Sequence, residues 1–105
     1  MIYIEVFEAN VGASELDYEI GKLEVPEGFE ITILELGFTL PADSWLYTYI
    51  GEIRTDKIHG SYKLVDLQRI IVNRKLVAGQ TFKITSSSIT GGQTSILVVF
   101  DKSGR

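Results

Sequence analysis

The chain contains no cysteine. That excludes disulfides, a thiolate nucleophile and any cysteine-based metal site. It contains one histidine, His59, set in a polar stretch between Ile58 and Gly60. A metal or acid–base role for it is outweighed by the ordinary reading of a surface loop residue. Nowhere does an apolar run approach the ~18 residues that span a bilayer. The first residues, Met1 to Glu8, lack a positive n-region and meet Glu5 too early for a signal peptide. A soluble protein, cytoplasmic at synthesis, is expected. Positive charge is also scarce: the formal net charge is −4, with no basic patch of the kind that holds nucleic acid. Phosphate loops, dinucleotide fingerprints, HExxH helices and EF-hand loops are all missing. Gly91-Gly92 lacks the lysine that follows in a phosphate loop.

What is present is strand composition. With 105 residues, 45% of them hydrophobic, the chain suits one domain, residues 1–105, with a core that needs no staples. The segment Phe29–Leu40 is the longest stretch rich in β-branched, aromatic and aliphatic residues. Pro26-Glu27-Gly28 precedes it and Pro41-Ala42-Asp43 follows. It reads as a central strand. Phe29, Ile31 and Ile33 share one face, while Leu34, Leu36, Phe38 and Leu40 share the other, because successive side chains alternate. Either a β-bulge resets the alternation, or the strand passes from one packing surface to a second.

Other segments follow the same logic. Residues 2–8 alternate, with Ile2, Ile4 and Val6 opposed to Tyr3, Glu5 and Phe7. Leu16 to Val25 reads as one strand or two short ones, with Gly21 a bulge or bend. In Ser44–Ile53, Trp45, Tyr47 and Tyr49 alternate with Leu46, Thr48 and Ile50. Residues 54–60 read as an exposed connection. Leu64–Leu76 reads as mostly extended, with a short helix as the alternative. Thr85-Ser86-Ser87-Ser88 reads as an edge or solvent face, and Thr90-Gly91-Gly92-Gln93 as a hairpin turn. Strands punctuated by turns every ten or so residues predict an all-β, antiparallel β-sandwich. A jelly roll is preferred, with an immunoglobulin-like sandwich as runner-up.

Reactive constellations do not stand out. Ser61, His59 and Asp56 make a triad on paper only, with no nucleophile elbow around them. The acidic residues of the first third have the spacing of a solvated face. Glu35, between two leucines, needs a basic partner if buried, and Arg54, Arg69 and Arg74 are the candidates. No catalytic residue, metal or cofactor is expected. The stripe Trp45, Tyr47, Tyr49 is the candidate ligand or protein platform if Leu46 and Ile50 face the core, since aromatic rings stack on sugars and anchor interfaces. The opposite arrangement puts the rings in the core. Leu34, Leu36, Phe38, Leu97 and Val99 are candidate oligomer-interface residues, because one small sandwich has difficulty covering both faces of two apolar strands.

Three segments carry a resemblance: Val25-Pro26-Glu27-Gly28-Phe29-Glu30-Ile31, Leu76-Val77-Ala78-Gly79-Gln80-Thr81-Phe82-Lys83-Ile84, and Ser95-Ile96-Leu97-Val98-Val99-Phe100. Over residues 25–100 the pattern resembles small β-sandwich virion proteins of phages and archaeal viruses, with a VPxG turn opening one strand and an LxxGxT turn opening a late one. The resemblance implies a non-enzymatic capsid, decoration or spike-type protein, located in the virion and homo-oligomeric, with other virion proteins as further partners. It assigns no individual residue a role. The alternative is a carbohydrate-binding β-sandwich module that takes glycans on the aromatic stripe.

Overall fold

The computed structural model describes residues 1–41, 43–59 and 68–104. Eight strands follow in order: β1 Ile2–Val11, β2 Glu15–Glu24, β3 Phe29–Thr39, β4 Ser44–Ile50, β5 Ile53–His59, β6 Gln68–Leu76, β7 Thr81–Ser88 and β8 Gly92–Gly104. They form two antiparallel four-stranded sheets. Sheet A has the order β1-β8-β3-β6 and sheet B the order β2-β7-β4-β5. The pairs β1–β8, β2–β7, β3–β6 and β4–β5 are nested one inside the next. A long hairpin centred on β4–β5 and rolled over on itself gives this order, the strand arrangement of a jelly roll.

Both prolyl and glycyl turn motifs sit at one end of the sandwich and bond to each other. Gly28 and Gly79 have φ of 83° and 87°, which glycine adopts without a Cβ penalty. Each closes a turn, Phe29 N–H to the Pro26 carbonyl at 3.2 Å and Gln80 N–H to the Val77 carbonyl at 3.1 Å. The Val25 N–H donates to the Gln80 carbonyl, and Gly79 N–H returns a bond to the Val25 carbonyl, both at 3.0 Å. The β1–β2, β3–β4 and β7–β8 connections meet at the other end, where Ser14 N–H donates to the Ile89 carbonyl and Ile89 N–H to the Asp43 carbonyl.

The change of face in β3 is a bulge. Ile33 pairs with Phe100 and Glu35 with Val99, leaving Leu34 as the extra residue. Ile31, Ile33, Leu36, Phe38 and Leu40 therefore all turn inward and join the core with Leu46, Phe82, Ile84, Ile96 and Val98. This corrects the interface assignment of Leu36 and Phe38, which are 0% and 3% exposed within a single chain. Burying each in its own core stabilises the fold by roughly 1.5–3 kcal/mol.

Three further expectations are corrected. Residues 53–59 form edge strand β5 rather than a connection, and their polarity reflects an edge position. Thr85 to Ser88 lie on central strand β7 and are buried. Their hydroxyls are used internally: Ser86 Oγ donates to the Trp45 carbonyl, and Ser44 and Ser88 are bonded at 2.9 Å. Gly91-Gly92 links sheet B to sheet A and closes no hairpin. A Cβ on Gly91 would stand 2.7 Å from the Ala13 nitrogen, so this turn packs on the β1–β2 backbone instead. Gln68–Leu76 is extended as expected, while residues 64–67 lie outside the described residues.

Candidate functional site

Two outward surfaces collect the residues of interest. The first is the outer face of sheet B. β4 presents Trp45, Tyr47 and Tyr49 outward, while Leu46 and Thr48 are buried beneath. The neighbouring strands place cations beside the rings. Lys57 Nζ lies 4.6 Å from the Trp45 ring centre, Arg54 lies 4.4 Å from Tyr47, and Lys83 lies 4.9 Å from Tyr49. His59 packs on Trp45 with ring centres 4.4 Å apart. Arg54 is held above its usual range, chiefly by a side-chain hydrogen bond with Tyr49, against desolvation.

The three rings do not act as one platform. Tyr49 Oη donates to Asp17 Oδ1 at 3.0 Å, and Thr85 Oγ1 donates to the same oxygen at 2.9 Å. Asp17 sits in a β2 register shift with φ of 50°, and its N–H donates to Ser87 Oγ. Tyr49 is thus tied down by its hydroxyl. Trp45 and Tyr47 instead line a groove of about 380 Å³ together with Leu16, Ile89, Glu15, Asp43, Ser14, Ser87 and Ser88. Lys57, Arg54 and His59 of β5 are not among its lining residues, so these β5 side chains and the groove contact the rings from different sides.

The second surface is the outer face of sheet A, and register builds it row by row. Ile4, Val99, Glu35 and Ile71 form one row, with the bulged Leu34 beside Glu35. Val6, Leu97, Gly37 and Arg69 form the next. Ile4 is 64% exposed, Val6 55% and Ile71 87%. Leu34, Leu97 and Val99 are half-buried. Of the five interface candidates, these three lie on this face; Leu36 and Phe38 are on the opposite one. Glu35 is half-buried and pairs with Arg69, Oε1 to Nε 3.6 Å. The sequence reading missed Ile2, Ile4, Val6 and Ile71. The signal for the first three was the unbroken aliphatic face of residues 2–6, which a buried strand shows equally.

The paper triad does not assemble. Asp56 points into the sandwich, bonded to Arg74 and Thr48. His59 lies on the outer face against Trp45, and Ser61 is outside the described residues. Among the described residues no group of three histidines, aspartates and glutamates is placed to hold a metal ion, and no helix is long and apolar enough to cross a membrane. Comparison with protein-family models, with curated proteins and with solved structures finds no match to this chain.

Proposed function

We propose that the chain is a non-enzymatic structural protein that self-associates through the outer face of sheet A, in the manner of a capsid, decoration or spike component of a virion. The observation that carries this reading is the apolar β1–β8 part of the two rows on that face, which the Glu35–Arg69 pair borders. Ile4, Val99 and Leu34 lie beside Val6, Leu97 and the side-chain-free Gly37. Isolated exposed aliphatics are ordinary, but contiguous apolar patches of several hundred Å² mark interaction sites. Strand pairing holds these residues next to one another, so they form one patch. The test is self-association in solution. Sedimentation across micromolar to near-millimolar concentration is expected to show reversible oligomers, and Val99→Lys is expected to weaken them while leaving the far-UV spectrum unchanged. Wild-type protein that stays monomeric throughout removes the reading.

The groove beside Trp45 and Tyr47 favours a second reading, binding of glycans. Ring faces there stand next to the carboxylates of Glu15 and Asp43, a combination that stacks on sugar C–H groups and accepts sugar hydroxyls. Titration with a glycan panel would shift the fluorescence of the single tryptophan. Trp45→Ala would abolish binding, and an unresponsive wild-type protein would dismiss it.

A further inference from the structure

The four sheet edges are treated very differently. Edge strand β2 has register shifts at Glu15/Tyr18 and at Glu19/Gly21. β5 has one opposite Thr48/Tyr49, and β6 has one opposite Ile33/Glu35. Bulges and charges of this kind stop an edge from pairing with another chain. β1 has no bulge, lysine, arginine or proline, and its only charges are Glu5 and Glu8. It runs in unbroken register from Ile2 opposite Asp101 to Val11 opposite Gly92. Among the described residues, no strand pairs with its outer side.

One hydrogen bond fixes which backbone groups are free there. Lys102 N–H donates to the Met1 carbonyl at 2.9 Å. With Ile2 opposite Asp101, antiparallel geometry makes the odd residues Tyr3, Glu5 and Phe7 the ones bonded to β8. The even residues Ile2, Ile4, Val6 and Glu8 aim their N–H and C=O groups at the open edge. The same residues carry the aliphatic outer face.

We infer that the partner at this edge is a second copy of the chain, with β1 pairing antiparallel to β1 about a twofold axis at Ile4. This rests on the self-association reading and names the strand and register that perform it. With the axis at Ile4, Ile4 opposes Ile4 of the second copy and Ile2 opposes its Val6. Tyr3 then opposes Glu5, a phenol donor beside a carboxylate. Other registers are worse by the rule that like charges directly opposite destabilise a sheet and aliphatic pairs stabilise it. An axis at Glu5 sets two glutamates face to face. An axis at Val6 sets Ile4 against Glu8, and an axis at Tyr3 gives up the Tyr3–Glu5 pair and sets Glu5 against Met1. The product is one continuous sheet, β6-β3-β8-β1-β1-β8-β3-β6, with the apolar rows of both copies running across the join. Pairing over residues 1–7 falls short of the ~800 Å² per partner of a standard interface, so the dimer is weak and concentration-dependent.

The absence of cysteine makes the register directly readable. Opposed residues in a hydrogen-bonded antiparallel pair have Cα atoms about 5.5 Å apart, within the range that a disulfide spans. Single variants Ile2→Cys, Ile4→Cys, Val6→Cys, Glu8→Cys and Ile71→Cys would be oxidised under non-denaturing conditions and run on non-reducing gels. Ile4→Cys is expected to give the dominant covalent dimer, and a mixture of Ile2→Cys with Val6→Cys a heterodimer. Strongest self-crosslinking at Val6, Glu8 or Ile71 overturns the Ile4 axis while leaving self-association standing. No crosslinking in any variant, with wild-type protein monomeric by sedimentation, overturns both.

Discussion

Arg74 of sheet A and Asp56 of sheet B meet across the β5–β6 side of the sandwich, with Nη1 2.6 Å from Oδ2 and Nη2 3.4 Å from Oδ1. Thr48 Oγ1 donates to the same carboxylate at 2.6 Å. Both charged side chains are largely withdrawn from water, at 29% and 23% exposure. Among the described residues this clasp is a polar link between the two sheets on their β5–β6 side.

The clasp predicts a pH dependence. Desolvation pushes the Asp56 carboxyl up, but hydrogen bonds from Arg74, Thr48 and Thr55 and the Arg74 charge outweigh it and hold it below the usual value. A carboxyl depressed in the folded state contributes stability that is present above its unfolded pKa and lost as pH falls through the folded one. Urea midpoints are therefore expected to drop as pH falls below the ordinary aspartate range. In Asp56→Asn that part of the pH dependence should vanish. Equal acid sensitivity in the variant would remove Asp56 from the account.

Removing the partner should cost more than removing a surface charge. Arg74→Met is expected to lose about 1–2 kcal/mol, because it leaves a carboxylate partly desolvated with only threonine donors. Arg69→Met, which breaks the more exposed pair with Glu35, should change stability by less than about 1 kcal/mol. Equal effects would mean that burial of the Asp56 pair is energetically unimportant.

Gly21 tests the packing of β1 on β2. A Cβ there would fall on the ring of Phe7. The Phe7 ring thus fills the space that a side chain would take. Gly21→Ala should cost roughly 1–3 kcal/mol through overpacking, and Phe7→Ala in the same background should recover part of it. Additive losses in the double variant would contradict the contact.

Much of this was legible in the sequence, for identifiable reasons. Turn chemistry marked Pro26–Gly28 and Val77–Gln80 as turns, which the structure uses as crossings between the sheets, and alternation set Trp45 and Tyr47 opposite Leu46 without saying which face is the core. The β3 bulge was readable as one of two alternatives, because a switch of apolar parity at Ile33–Leu34 has few causes. Other features were hidden because they are set by partners distant in sequence. Thr85–Ser88 read as a solvent face, since nothing local announces that Asp17, Ser44 and the Trp45 carbonyl will satisfy those hydroxyls. Residues 54–60 read as a connection because Asp56, inward on edge strand β5, is made tolerable by Arg74 of the other sheet. The exposure of Ile4 and Val6 depends on which face of β1 meets sheet B, and Phe7 settles that by packing on Gly21.

The most direct measurement is the molar mass of the wild-type protein by light scattering over a wide concentration range, beside Ile4→Lys. The account predicts that the wild-type mass rises reversibly above the 11.7 kDa of one chain, while the folded variant stays at that value. A wild-type protein fixed at the mass of one chain at every concentration would contradict it.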